Sequence, residues 1–234
     1  MKHTRQGGPA STPVPLARYQ EKELMKTSSR KFEITDIAHE KHPFLHRIRA
    51  LRDVGIEVRA GDLGGFVEAE CNLSQEDDDA SWIFDDAIAA GAASVDKDSC
   101  LRDEAVACDQ AYVTQRSTLS GHARAEDSAY IRGSVLSEQA RASGTAMVLD
   151  NKDAGKYPRL SGQCVIYGTV AGDVRASGTA VILWEEKIRN SSQDTLVLDG
   201  QKRTIVRNLS RDELKPCRST EKREKAPKRK GMDR

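Results

Sequence analysis

From Ile83 onward every sixth residue is aliphatic or alanine, and the residue four places after each of these is alanine or serine. The first set runs Ile83, Ala89, Val95, Leu101, Ala107, Val113, Leu119, Ala125 and Ile131; the second runs Ala87, Ala93, Ser99, Ala105, Ala111, Ser117, Ala123 and Ala129. After one deleted residue the pattern resumes at Leu136, Ala142 and Val148. Residues eighteen apart share a type: Ile83, Leu101, Leu119 and Leu136 form one column, Ala89, Ala107, Ala125 and Ala142 a second, Val95, Val113, Ile131 and Val148 a third. A period of six cannot keep one face of a 3.6-residue helix, so amphipathic helices are excluded. Hexads grouped in threes predict a triangular prism, each hexad a short strand plus a corner and each three hexads one coil. The fold class is therefore all-β, a parallel β-helix of about six coils.

The second half keeps the register less cleanly. Val148 to Ile166 is again eighteen residues, with Ala154 and Leu160 at the intervening first positions, although the polar stretch Asn151 to Pro158 has the composition of a loop. Ala171, Ala176 and Ile182 continue the series, and the near copies Ala142–Asp150 (ASGTAMVLD) and Ala176–Trp184 (ASGTAVILW) mark its phase. A stack of coils has two open ends that need covering. Residues 32–82, with Phe44, Leu45, Ile48, Leu51, Val58, a Gly64-Gly65 turn, Phe66 and Val67, supply an N-terminal cap. Residues 195–206 read as a hairpin around Asp199-Gly200 that closes the other end. The expected organisation is a disordered basic head (1–31), the cap (32–82), the β-helix (83–187), a C-terminal closing element (188–214) and a disordered basic tail (215–234). A docking helix around Leu16 to Met25 is the alternative for the head.

The hexad, aliphatic then small or acidic, two variable, then Ser/Thr/Ala/Val, resembles the hexapeptide motif of left-handed parallel β-helices, an exception to the usual right-handed crossover. His46–Ala87 is similar to the N-terminal module of YdcK-like hexapeptide-repeat proteins of bacteria and phages. The residues that carry this resemblance are Gly61, Gly64, Gly65, Val67, Asn72, Leu73, Ser74, Trp82, Ile83, Phe84 and Asp85, with Phe84 where that module has Tyr. The label of transferase often given to that family follows its fold and is an analogy. The resemblance implies trimers and, in the acyltransferase branch, a histidine general base with coenzyme A in the groove between subunits.

Composition agrees with a narrow prism. Four Phe, five Tyr and two Trp in 234 residues leave little for a bulky interior. The net charge of +1 conceals a partition: residues 1–31 carry seven basic and two acidic side chains, residues 215–234 nine and three, so the body between them stands at −10. Basic, apolar-poor ends either serve solubility or tether the chain to nucleic acid or anionic lipid. Five cysteines without a C-x-x-C pair do not suggest a disulfide framework. No apolar stretch reaches bilayer length and no secretory signal is recognisable, so a soluble, cytoplasmic protein is expected, with a secreted effector as the alternative.

The only histidine of the repeat is His122, at a variable position that projects outward or sits near a corner. It is either a solvent-facing turn residue or the base of an acyl transfer. His39, His42 and His46 lack the cysteine or carboxylate support of a metal site. The acidic run Glu76–Asp79 with Asp85 and Asp86 reads as a solvated turn or as ligands for a divalent cation. Immediately before the Ala column stand Arg124, Arg141, Arg159 and Arg175, a ladder expected on one exterior face, where it either meets an acidic protein or nucleic acid or is balanced by carboxylates such as Glu126. Beside the Val column the outward residues are Tyr112, Tyr130, Met147, Leu149, Val165, Tyr167, Val181 and Leu183, which read as strands buried on both sides. Another subunit, the C-terminal hairpin or the cap must then cover them. The favoured reading is a non-catalytic interaction or scaffold protein without cofactor, self-associating by the Val-column face and binding an acidic partner through the arginines. The alternative is an acetyl-CoA-dependent acyltransferase with His122 as general base.

Overall fold

Residues 30–208 are described by the computed structural model. They form a parallel β-solenoid of about seven turns, built from three sheets of nine, eight and six strands. The faces can be named from the inward residues of the sequence columns. Ile83, Leu101, Leu119 and Leu136 are stacked neighbours on the Leu face. Ala89, Ala107, Ala125 and Ala142 stack on the Ala face, and Val95, Val113, Ile131 and Val148 on the Val face. All these side chains are fully buried, as are the corner residues Ala87, Ala93, Ser99, Ala105, Ala111, Ser117, Ala123 and Ala129. An axis this narrow admits one aliphatic side chain per strand and only small residues at the corners.

The corners need left-handed backbone. Asp85, Asp103, Asp109, Asp127 and Glu138 supply it without glycine, at φ between 51° and 61°; aspartate tolerates this region better than most residues. Each of these carboxylates accepts the backbone N–H of the equivalent corner one coil on, from Asp103, Gly121, Asp127, Gly144 and Gly162 respectively, at 2.7–3.2 Å. Part of the negative charge of the body is thus a set of corner hydrogen bonds.

The cap joins the Ala sheet. Phe32–Ala38, His46–Ala50 and Leu63–Val67 run antiparallel, and the last then pairs parallel with Ile88–Ala89. Gly64 and Gly65 lie in that strand and not in a turn. A Cβ at Gly65 would stand 2.4 Å from Ala87 O and one at Gly64 2.6 Å from Ile83 O, so glycine is required by close approach to the first coil. Asn72, fully buried, accepts from the N–H groups of Glu68 and Ala69 and donates to Gly91 O and Ala93 O. Phe32 meets buried Trp82 edge to face at 6.4 Å. Lys31, placed in the head by the sequence reading, is fully buried under the cap because its Nζ finds carbonyls there. The remaining head, with the Leu16 to Met25 segment, and the basic tail lie outside the described residues.

At the other end Thr195–Asp199 and Lys202–Val206 form the expected hairpin. Its first strand is also a further solenoid strand, parallel to Val174–Ser177. With Leu63–Val67 at the first end, this accounts for about seven turns where the repeat alone suggested about six. No helix among the described residues is long and apolar enough to cross a membrane.

One irregularity governs the surface. Residues 151–157 leave the wall as a loop, closed by an antiparallel bridge between Asn151 and Lys156. Ala154, expected at the axis, is exposed in it. The loop uses up residues without making a side, so Leu160 stacks on Leu136 of the Leu face, and Ile166 on Ala142 of the Ala face. Val170, and not Ala171, then takes the axis on the Val face.

Candidate functional site

The phase change divides the arginines. Arg124 and Arg141 are neighbours on the Ala face, but Arg141 is followed there by Val165. Arg159 and Arg175 are neighbours on the Leu face, below Val135. The expected four-membered ladder is therefore two pairs on two faces. The first pair shares Glu126, which is buried: Arg124 Nε bonds Oε1 at 2.5 Å and Arg141 bonds Oε2. One buried carboxylate between two guanidiniums offsets their mutual repulsion and leaves this pair little charge to offer a partner. In the second pair, Arg159 lies over the Tyr157 ring at 4.6 Å and donates to its hydroxyl at 2.8 Å.

The apolar residues are divided in the same way. Tyr112, Tyr130, Met147 and Leu149 lie on the Val face; Val165, Tyr167, Val181 and Leu183 belong to strands of the Ala face and their ends. Tyr112, Tyr130 and Met147 on the one side and Tyr167 and Leu183 on the other nonetheless flank one edge of the prism, because the chain passes from the Ala face to the Val face through the corner containing Gly144 and Gly168. Val165 and Val181 stand across the Ala strand in register with Arg141, and Leu149 lies at the far end of its strand beside Asp150. A Cβ at Gly144 would touch the Tyr167 ring at 3.7 Å. Tyr112 and Tyr130 stack at 5.6 Å, and Tyr112 donates to Asp96 Oδ2 at 2.6 Å. Burial, and then Asp96, raises the Tyr112 pKa. Tyr167 packs on Trp184 at 5.8 Å. The expectation of strands buried on both sides fails here: Met147 is 41%, Val181 44%, Leu183 54% and Trp184 72% exposed. Neither closing element buries them: the cap stacks on the first coil, and the hairpin turn at Gly200 to Arg203 only flanks Val181 and Leu183 across a shallow cleft.

His122 sits at a corner, as its variable position suggested, following Gly121 in left-handed backbone. Its Nδ1 lies 3.3 Å from Glu104 Oε2, with side-chain exposures of 61% and 68%. The cap turn Ile37–His42 overhangs the same face and closes a cleft of about 810 Å³, lined among others by His39, His42, Arg47, Phe66, His122 and Arg124. His39 stacks on His42 at 5.2 Å and meets Phe66 edge-on at 4.7 Å, while its Nδ1 accepts the N–H groups of Lys41 and His42. Arg47 lies 4.4 Å over the Phe66 ring and bonds Gly64 O, Asp85 O and Asp86 Oδ1.

The sequence singled out His122, and His39, His42 and Arg124 for other roles, but did not bring them together, because His39 and His42 come from a turn some eighty residues earlier. The repeat itself connected only Arg124, two residues on, and Glu104, eighteen residues before, to His122. A carboxylate on one imidazole nitrogen leaves the other for proton transfer, the arrangement of a general base and its orienting group.

The acidic run does not assemble. Asp79 turns inward to the N–H groups of Ser81, Lys97 and Asp98. Burial opposes its ionisation, but these bonds with that from Ser74 outweigh it and hold the carboxyl at about 2. Among the described residues no group of three or more His, Cys, Asp or Glu side chains is placed to hold a metal ion. No protein-family model matches the chain, and no curated protein matches its sequence.

Proposed function

We propose that this chain is a non-catalytic scaffold that associates with further copies of itself through the apolar edge between the Ala and Val faces. The observation that carries the reading is the exposure of Met147, Leu183 and Trp184 along that edge, with Val181 beside them on the Ala face. A parallel sheet is ordinarily covered on both faces, and an apolar patch of this kind on a polar body marks an interaction surface. The occupant is a second copy because the edge is two-sided: one face of one copy meets the other face of the next. That is a head-to-tail contact, and it closes as a ring of three. The six-residue period and the triangular section also support the finer reading of a left-handed, hexapeptide-repeat, YdcK-like protein, here taken as cytoplasmic. The acidic-partner part of the reading no longer rests on four stacked arginines, because Glu126 occupies two of them.

Sedimentation velocity of the wild type and of Val181→Glu and Trp184→Glu tests the proposal. A trimer that becomes a monomer in both variants, each retaining its circular dichroism spectrum, is the expected result. A wild type that sediments as a monomer at all accessible concentrations would sink it.

A second reading is favoured by the pairing of His122 with Glu104 in the cleft beneath the cap turn. In it, His122 deprotonates an acceptor for acyl transfer from acetyl-CoA. Calorimetry with acetyl-CoA and turnover with a panel of amine and hydroxyl acceptors address it. A His122→Ala variant with undiminished turnover would remove it.

A further inference from the structure

The loop 151–157 makes a cleft of its own against the Leu face, of about 690 Å³, lined among others by Gln115, Arg116, Thr118, Val135, Lys152 and Tyr157. That volume is in the range of small-molecule sites. The loop is well fastened. Lys156 Nζ donates to Ser192 O at 2.9 Å and Gln193 O at 2.5 Å and lies 3.7 Å from Asp173. Asn151 and Lys156 exchange backbone hydrogen bonds, and Asp150 at the root accepts from Arg132 Nε at 2.7 Å. A site whose walls are held in this way loses little ordering entropy on binding.

Its charges differ from those of the histidine cleft. There Arg47 is taken up by Asp86 and Arg124 by Glu126. Here Arg116 and Lys152 have no carboxylate within ion-pair distance among the described residues, and both side chains are exposed. The single carboxylate of the lining, Asp150, is already occupied by Arg132. Gln115 and Arg116 both adopt left-handed backbone, at φ 56° and 61°, with no glycine to relieve it. Two unpaired cations facing a cavity, on a body of net −10, mark a local region of positive potential.

We propose that this cleft binds a small polyhydroxylated phosphate ester, the sugar-phosphate class. The forked donors of Arg116 suit two phosphate oxygens and Lys152 adds a point charge. The uncharged polar lining, Gln115, Thr118 and Asn151, offers amide and hydroxyl partners for sugar hydroxyls. Val135 is the only aliphatic side chain of the lining and Arg159 already lies over the Tyr157 ring, so a flat apolar base finds little to stack on. The site is independent of self-association, because Arg116 and the loop lie at the corner between the Val and Leu faces, away from the apolar edge.

The test is calorimetric titration of the full chain at low ionic strength with glucose 6-phosphate, glucose 1-phosphate and ribose 5-phosphate, with glucose and inorganic phosphate as comparison probes. At least one sugar phosphate should bind, glucose should not, and inorganic phosphate should bind roughly tenfold more weakly. Arg116→Gln and Lys152→Gln should each weaken binding roughly tenfold and together abolish it, whereas Val181→Glu should leave it unchanged. No binding of any of the three esters, or equal affinity in the double variant, overturns the proposal. Inorganic phosphate binding as tightly as the esters overturns the assignment of a sugar.

Discussion

Replacing Lys31 by methionine should change the pH dependence of stability in a calculable way. The Nζ of Lys31 donates to Asp79 O at 3.2 Å and to Ser81 O and Ser81 Oγ at 3.1 Å each. Three N–H groups for three acceptors complete an ammonium; a neutral amine would have one donor too few. Burial nevertheless lowers the pKa of Lys31 from 10.5 to about 8, with the charge of Asp79 only partly offsetting it. Between about pH 8 and pH 10.5 the unfolded chain therefore holds a proton that the folded chain has released, and the contribution of this group to stability rises with pH. Below that window the folded state bears the full cost of a buried charge; above it the cost is gone. From about pH 7 to about pH 9.5 the gain is about 2 kcal/mol. Lys31→Met keeps the stem and removes the titration, so the wild type should gain about 2 kcal/mol on the variant over the same interval. Urea unfolding at the two pH values, followed by tryptophan emission in a Trp184→Phe background so that only Trp82 beside Phe32 reports, reads the difference where it arises. Cys108 and Cys164, raised by burial to about 12 and about 11, titrate in the opposite sense but are common to both proteins and cancel. A difference that does not change with pH would refute the reasoning.

Other variants probe other parts of the fold. Gly168→Ala would place a Cβ 2.2 Å from Leu183 O and 2.4 Å from Glu186 O, backbone atoms of the next coil. It should cost about 3 kcal/mol or more, seen as a lower midpoint in thermal denaturation. Leu119→Ala empties the fully buried centre of the Leu column and should cost about 2–5 kcal/mol in the same assay. Asp79 is held at about 2 against an ordinary 3.8, so its contribution is complete above pH 4 and is lost as pH falls toward 2. Asp79→Asn should flatten that limb of the acid unfolding curve, and an unaltered limb would count against the assignment. Iodoacetamide should label exposed Cys71 well before Cys108 and Cys164, whose thiols burial keeps protonated; mass spectrometry of a time course gives the order.

The columns of the repeat were legible because each axis position is one residue deep and admits one size of side chain. Ile83 through Val148 accordingly stand at the axis without exception among the residues named for it. In the cap the glycines were visible but their role was not: Gly64 and Gly65 read as a turn, whereas with Asn72 they form the seam on which the first coil is laid. The sequence was misleading where the spacing was preserved by coincidence. Val148 and Ile166 are eighteen residues apart, yet they face different sides, because an extruded loop and a shortened coil together mimic a full turn. The arginine and apolar assignments below the loop inherited that error. The histidine cleft was only half visible, since a repeat pattern cannot foretell which part of a cap will overhang it.

The loop can be regarded as an insertion in a spatial reading frame. Ile131 to Leu136 spans one corner in Arg132, Gly133, Ser134 and Val135; Val148 to Leu160 makes the same passage through Leu149, Asp150, Pro158 and Arg159, with residues 151–157 set between. Excising those seven residues leaves every downstream side chain on its present face, provided Asp150, then preceding a proline at a left-handed corner, becomes glycine. Removing one ordinary hexad instead would turn everything below it to the next side of the prism. A length change at this corner thus leaves the facing of the later coils intact and is felt only where Lys156 reaches Ser192, Gln193 and Asp173.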